Sequence, residues 1–276
     1  MEFTAENSQP IIIVGMHRSG TNLLTQILRD AGIFMGALRE GNNESKVYLM
    51  INERIFKLLN ATWDDPKPVV KELLKEDVVM AYRAAVKCWM TPVQSILYWG
   101  PGHLSHFLNP PSEHWGWKDP RTTFTWPIWH SLYPNCKFIH MVRNGIDVAE
   151  SLRVREHKRL RNLNRMKHFS GRCLSIEGGF SLWEEYVKNG IALENVLPKQ
   201  CLRVKYEDLL EKPQENIHAI LKFIDKANNK DLTQRIISRN FAREIHRFQV
   251  NEKLVRFYNE NKKNYLLEQL GYVNLT

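Results

Sequence analysis

Residues 11–24, IIIVGMHRSGTNLL, constrain the fold of this chain more than any other stretch. Ile11 to Val14 form a short apolar run that predicts a buried strand. Leu23, Leu24, Ile27, Leu28 and Ala31 recur at helical spacing, which predicts a helix over 22–31. Between them Gly15 and Gly20 frame a G-x-x-x-x-G turn. Such a turn lets the backbone close on an anion, and the N–H groups and dipole of the following helix start favour negative charge there. A nucleoside-triphosphate loop would continue with Lys and then Ser or Thr, but here Thr21 and Asn22 follow. The group that reaches a γ-phosphate and the hydroxyl that holds Mg²⁺ are both missing. Arg18 supplies a forked cation instead, a geometry suited to phosphate or sulfate oxygens.

The same strand, turn and helix scheme recurs along the chain. KFIHMV (137–142) and CLRVKY (201–206) read as strands, and helices are expected over 45–60, 69–99, from about 146, 177–197 and 213–227. WDDPKP should turn the chain between the first and second of these helical stretches, and Pro213 fits a helix start. Strands separated by helices predict an α/β fold, a central parallel β-sheet flanked by helices, of the P-loop nucleotide-kinase-like kind. The expected layout is a single domain over 1–276, with a helical insertion at about 45–100 and a mostly helical tail at about 230–276.

With 43% hydrophobic and 25% charged residues among 276, the chain can bury one large core. Cys88, Cys136, Cys173 and Cys201 are widely spaced, with no CxxC pair, and read as reduced thiols rather than a disulfide or zinc framework. MEFTAENSQP lacks the basic head and apolar centre of a signal peptide, and no apolar run reaches the roughly 20 residues of a membrane span, so a cytoplasmic protein is expected. A net charge of +9, from 39 basic and 30 acidic residues, attracts polyanions without choosing among them.

A second anion element lies in KFIHMVRNGIDVAESLRVRE, where Arg143 ends a strand and Ser151 follows eight residues later on the next helix. Together the two elements resemble the phosphosulfate loop and 3′-phosphate site of sulfotransferases that use 3′-phosphoadenosine 5′-phosphosulfate (PAPS). GMHRSGTN is similar to that family's GxPRSGTT-type loop, RNGIDVAES to its RNPxDVxxS-type element, and LRVKYEDLLEKP (202–213) to its YEDL segment. WGWKDPRTTF (115–124) and SLWEEY (181–186) resemble a bacterial branch whose members also carry GMHRSGT. The resemblance covers roughly residues 10–225, with the motifs in the family's order. His17 stands where many members have Pro or Lys, and the RKGxxGDW-like C-terminal motif of cytosolic members is absent.

The resemblance implies an O-sulfotransferase that moves a sulfuryl group from PAPS to an acceptor hydroxyl of a carbohydrate, a lipid or a small-molecule alcohol. It implies the product PAP and no metal. By this resemblance Gly15, His17, Arg18, Ser19, Gly20, Thr21 and Asn22 would hold the 5′ end, and Arg143 and Ser151 the 3′-phosphate. Tyr206 would place the adenine or else be a core residue at a strand end. The catalytic candidates are Glu44, about 26 residues after Arg18, as base; Arg18 as the cation at the leaving sulfuryl; Lys118 and Asp119 of WKDPR, with Arg121 orienting the loop; and His17. Residues 153–172 hold eight Lys or Arg and one acid, Glu156, and read as a solvated helix and loop or as a basic flap. Trp115, Trp117, Phe124, Trp126 and Trp129 are either core or a stacking platform for an acceptor.

Two other classes compete. A small-molecule P-loop kinase would need the missing lysine, and a nucleic-acid-binding protein would use the basic 153–172 segment with steep salt dependence. Neither accounts for the glycine turn together with the Arg143 and Ser151 spacing. No specific nucleic acid and no membrane span are therefore expected as partners.

Overall fold

Alternation along Ile11–Gly15 builds the centre of the fold. Ile12 and Val14 face one hydrophobic cluster and Ile11 and Ile13 the other, as the two-residue period of a strand dictates. In the computed structural model the described residues are 8–101, 111, 114–161, 168–227, 230–240, 247–273 and 275. Four strands, β1 (Ile11–Gly15), β2 (Gly116–Lys118), β3 (Lys137–Val142) and β4 (Cys201–Lys205), form a parallel sheet in the order β2-β1-β3-β4. The register pairs Ile12 with Trp117 and Phe138, Gly15 with Met141, and Met141 with Val204. From β1 the chain runs to β2 on one side and β3 on the other. The crevice at the carboxyl ends of β1 and β3 is therefore the switch point where open α/β sheets place their ligands.

Helices cover both faces. On one side α1 (Thr21–Asp30), α10 (Pro213–Phe223) and α11 (Lys230–Asn240) bury Leu23, Leu24, Ile27, Ile217, Ile220 and Ile236 against Ile139, Met141 and Val204. The other side packs α6 (Thr122–Leu132), α7 (Gly145–Leu160) and α8 (Ile176–Val196) with the insertion helices α2 (Lys46–Leu58), α3 (Lys67–Glu72), α4 (Glu76–Trp89) and α5 (Pro92–Trp99). The short α9 (Tyr206–Glu211) follows β4 directly, and α12 (Glu252–Asn261) and α13 (Tyr265–Gln269) end the chain.

The expected helix over 69–99 is three helices. Pro92 begins α5 and holds Thr91 extended (φ −92°, ψ 170°), because a residue before proline is pushed out of the helical region. The last strand stops at Lys205, so Tyr206 is the first residue of α9 rather than part of the strand. The helix expected to reach 227 ends at Phe223, where Asp225 turns left-handed (φ 54°). β2 carried no separate strand signal, since three residues are too few for a period.

Four of the five aromatic residues singled out are core, and Trp126 is partly buried against it. Trp115, Trp117, Phe124 and Trp129 are 3% exposed or less, and Trp117 stacks on Tyr48 with centroids 3.8 Å apart. That stacking fills the space between the sheet and α2 and leaves these rings no free face for an acceptor. Among the described residues no helix is long and apolar enough to cross a membrane.

Candidate active site

The turn after β1 is set by close backbone approach. A Cβ at Gly15 would sit 2.3 Å from the Met141 carbonyl oxygen, and one at Gly20 would sit 2.4 Å from Cδ2 of Tyr206. Gly20 also has φ 100°, which glycine alone adopts freely. Ser19 closes the turn by donating its N–H and hydroxyl to the Met16 carbonyl, at 3.2 and 2.6 Å. Gly15 donates its N–H to Thr123 Oγ1 (2.9 Å), which moors the turn to α6. Asn22 accepts from the Asn43 side chain, which ties α1 to the loop carrying Glu44. Gly20 gives α1 no side-chain cap, so the first N–H groups of the helix have no intrahelical acceptor.

The start of α7 is built differently. Asn144 caps it, accepting from Ile146 N (2.9 Å) and Asp147 N (3.4 Å). Those donors are therefore taken, and an anion here meets side chains rather than the helix end. Arg143 lies with its guanidinium 4.5 Å above the Tyr206 ring, Nη2 is 3.5 Å from Asp147 Oδ2, and Nη1 donates to the Arg18 carbonyl at 3.4 Å. Its Nε is buried with no partner among the described residues. Arg18, itself left-handed (φ 71°), donates from Nε to Ser151 Oγ at 2.8 Å. No carboxylate pairs with Arg18 among the described residues. Burial lowers its pKa, and the cations Arg155 and Arg143 add to that lowering.

Arg18, Arg143 and Ser151 thus line one outer cleft of about 730 Å³, together with Phe248 and Leu254. The two anion elements read in the sequence meet here, and Tyr206 lies between them, its ring against Gly20 and under Arg143. Tyr206 is 4% exposed.

His17, the neighbour of Arg18, opens on a second, inner cavity of about 210 Å³, shared with Glu44, Trp63, Arg121, Arg155 and Arg159. Glu44 Oε1 accepts from Lys118 Nζ at 3.0 Å and lies 3.9 Å from His17 Nδ1. Lys118 is 1% exposed, and its pKa is lowered by burial against the opposing pull of Glu44. His17 is held well below its ordinary pKa by burial and then by Arg155, Arg121, Lys118 and Arg159, so it is neutral at pH 7; its Nε2 is buried with no partner among the described residues. The His17 ring meets Trp63 edge-on, centroids 5.0 Å apart.

Asp119 is not one of the residues lining this cavity. It is fully buried, accepts from Asn52 (2.8 Å) and from Arg121 Nη1 (3.1 Å) and N (3.2 Å), and orders the start of α6. Burial raises its pKa, opposed chiefly by Arg121. Arg121 passes on to Glu53 at 3.2 Å.

Three arginines of the basic stretch after Ser151 are paired with carboxylates of the same helix. Arg153 donates twice to Glu150 (2.7 and 2.9 Å). Glu156, fully buried, accepts from Arg155 (2.6 Å), Arg159 (3.1 Å) and Ser170 N (3.1 Å). Residues 162–167 of the expected flap lie outside the described residues. Arg155 stacks on Trp63 (4.7 Å to the centroid), lines both cavities, and has a buried Nη2 with no partner among the described residues. Sequence reasoning passed over Arg155 and Glu156 as site residues. The i, i+4 step from Ser151 to Arg155 to Arg159 carried the signal, since that spacing stacks side chains on one helix face. Trp63 and Asn144 gave no such signal.

The comparisons with known proteins agree with this architecture. A model of the sulfotransferase family matches residues 10–227. A candidate protein-tyrosine sulfotransferase of Caenorhabditis briggsae is 34% identical over 109 residues, which are 39% of this chain and 35% of that protein. Its Caenorhabditis elegans counterpart is also 34% identical over 109 residues, 39% of this chain and 38% of that protein. The alignments thus span little more than a third of these curated relatives. The fold resembles the sulfotransferase domain from the curacin biosynthetic pathway (TM-score 0.52, 20% identity, 87% of this chain and 81% of that one). It also resembles a sulfotransferase from Alicyclobacillus acidocaldarius (TM-score 0.51, 15% identity, 97% of each chain). With a family model covering most of its length, from before β1 to beyond α10, the chain belongs to the sulfotransferase family.

Proposed function

We propose that the protein transfers a sulfuryl group from PAPS to a hydroxyl of a polar acceptor, releasing PAP. The observation that carries this reading is the placement of two adjacent residues of one glycine turn. Arg18 lines the outer cleft and His17 the inner cavity, with Arg155 on the wall of both. An in-line transfer needs a donor site and an acceptor site on opposite sides of the moving group, and a cleft and a cavity bordered by adjacent residues of one turn support such an arrangement.

The outer cleft fits a nucleotide with two separate anionic ends. The uncapped start of α1 offers backbone N–H groups for one, and Arg143, with its unpartnered Nε, and Ser151 offer side chains for the other. Bound there, PAPS would supply the activated sulfuryl group and leave as PAP. Arg18 and Arg155 would offset the charge that grows on the leaving phosphate and the sulfuryl oxygens. Glu44 would accept the proton of the acceptor hydroxyl, with the Lys118 ammonium fixing the carboxylate at 3.0 Å. His17, with Nε2 lacking a partner among the described residues, would hydrogen-bond another polar group of the acceptor and help orient it.

The inner cavity is small and mostly polar, and its one large ring, Trp63, is already covered by Arg155 and His17. This favours a hydrophilic acceptor, such as a carbohydrate hydroxyl, over a lipid. Pairing of Arg153, Arg155 and Arg159 with Glu150 and Glu156 lessens the support for the nucleic-acid reading.

The test is a thermal-shift panel with PAP, ATP plus Mg²⁺ and an oligonucleotide, followed by transfer from labelled PAPS to a library of hydroxyl acceptors. PAP should raise the melting temperature. Glu44→Gln should lower kcat by about 100-fold or more with unchanged PAP affinity. Stabilisation by ATP plus Mg²⁺ but not by PAP would overturn the assignment.

A further inference from the structure

The C-terminal segment lies beyond residues 10–227, the part matched by the family model, yet two buried carboxylates tie it to the turn that carries Arg143. Asp147 Oδ1 accepts the N–H of Phe248 at 2.9 Å while Oδ2 faces Arg143 at 3.5 Å. Glu207, 3% exposed, is two-armed in the same way. Its Oε1 accepts the N–H of Asn144 at 3.0 Å, and its Oε2 accepts the hydroxyl of Tyr272 at 2.7 Å. Asn144 in turn caps α7. The tail is also bound to itself: Tyr258 donates its hydroxyl to the Tyr272 carbonyl at 3.0 Å. Phe248 and Leu254 line the outer cleft together with Arg18 and Ser151.

We propose that Tyr272 is a positioning residue for the outer cleft, acting through Glu207 on the Arg143–Asn144 turn, so that docking of the tail and binding of a 3′-phosphorylated nucleotide reinforce each other. The proposal rests on the reading of that cleft as the PAPS site. Its physical basis is the cost of a buried carboxylate oxygen without a donor. Glu207 sits in a place where burial already pushes its carboxyl up, and the Asn144 N–H and the Tyr272 hydroxyl work against that. Removing the hydroxyl leaves Oε2 unsatisfied, and the arm that holds Asn144 loosens with it. Coupling of this kind is reciprocal: if the tail orders the turn for the nucleotide, the nucleotide must protect the tail.

The experiment compares wild type, Tyr272→Phe and Tyr258→Phe by PAP titration calorimetry, by donor KM and kcat, and by amide hydrogen exchange over α12 and α13 with and without PAP. Tyr258→Phe removes two tail hydrogen bonds, to the Tyr272 carbonyl and from the Leu275 N–H, without touching Glu207, so it controls for loss of tail stability. Tyr272→Phe is expected to raise the PAP Kd and the donor KM roughly tenfold at little change in kcat. Tyr258→Phe is expected to stay within about twofold of wild type in PAP affinity, and PAP should slow exchange in α12 and α13 of the wild type. Wild-type affinity in Tyr272→Phe, or equal weakening by both variants, overturns the proposal alone. Failure of the wild type to bind PAP overturns the cleft reading and the proposal with it.

Discussion

Arg18 and Ser151, 133 residues apart in sequence, are joined by a 2.8 Å hydrogen bond from guanidinium Nε to hydroxyl Oγ. This bond brings the turn after β1 and the second turn of α7 to the same cleft. It also holds Arg18 near Arg143 and Arg155, whose charges with burial lower its pKa. Three guanidinium groups gathered around one cleft repel one another, and an anion there relieves the repulsion.

Arg18→Ala and Arg143→Ala should therefore each weaken PAP binding by about 10- to 100-fold, and Ser151→Ala by about fivefold, in titration calorimetry. The unliganded melting temperature of Arg18→Ala should stay level or rise, because a like charge is removed. Wild-type PAP affinity in Arg18→Ala would contradict this account of the cleft.

Glu156 is the buried carboxylate on which Arg155, Arg159 and Ser170 converge. Glu156→Gln leaves two crowded guanidinium groups without their counter-charge and should cost about 3 kcal/mol in denaturant unfolding. The exposed pair Lys75–Glu72 offers the contrast at 2.8 Å. Glu72→Gln should change stability by no more than about 0.5 kcal/mol. Similar losses in the two variants would show that burial of the Glu156 hub carries no special weight.

His17 gives a pH signature. Burial and the surrounding cations depress its folded pKa below the ordinary value of 6.5. The unfolded chain therefore binds a proton near pH 6.5 that the folded chain refuses. Stability from this group is complete above that pH and falls as pH drops toward the depressed folded pKa, at roughly 1 kcal/mol per pH unit at most. Melting curves between pH 7.5 and 5.5 should show a shallower acid loss for His17→Asn than for wild type. Parallel curves would mean that His17 is readily protonated in the folded protein.

Gly20→Ala places a Cβ 2.4 Å from the Tyr206 ring at φ 100°. Strain and the displaced ring should together cost about 2 kcal/mol and weaken PAP binding, since Tyr206 also underlies Arg143 at 4.5 Å. Differential scanning fluorimetry with and without PAP reads both effects, and an unaltered PAP shift would separate Tyr206 from the cleft.

Much of the fold was legible before any coordinates. The apolar runs at Ile11–Gly15, Lys137–Val142 and Cys201–Lys205 are strands of one parallel sheet, as their pattern and the intervening helical periods required. The glycine frame around Arg18 was equally plain, because a tight turn demands those residues locally. The inner boundaries were less plain. Thr91 and Pro92 split a continuous helical pattern, and β2 is too short to show a period.

The site divides along the same line. Sequence alone determined which residue types sit on which turn, because strand, turn and helix signals act over a few positions. It could not say that Arg18 would reach Ser151 while its neighbour His17 faces Glu44, or that Arg155 and Arg159 would converge on Glu156. Nor could it choose for Trp115, Trp117 and Trp129 between an acceptor platform and the core in which they are buried. Those outcomes depend on contacts between segments tens to more than a hundred residues apart. Only the packed sheet and its covering helices fix which side of a turn faces which cavity, and which charges meet a buried partner instead of water.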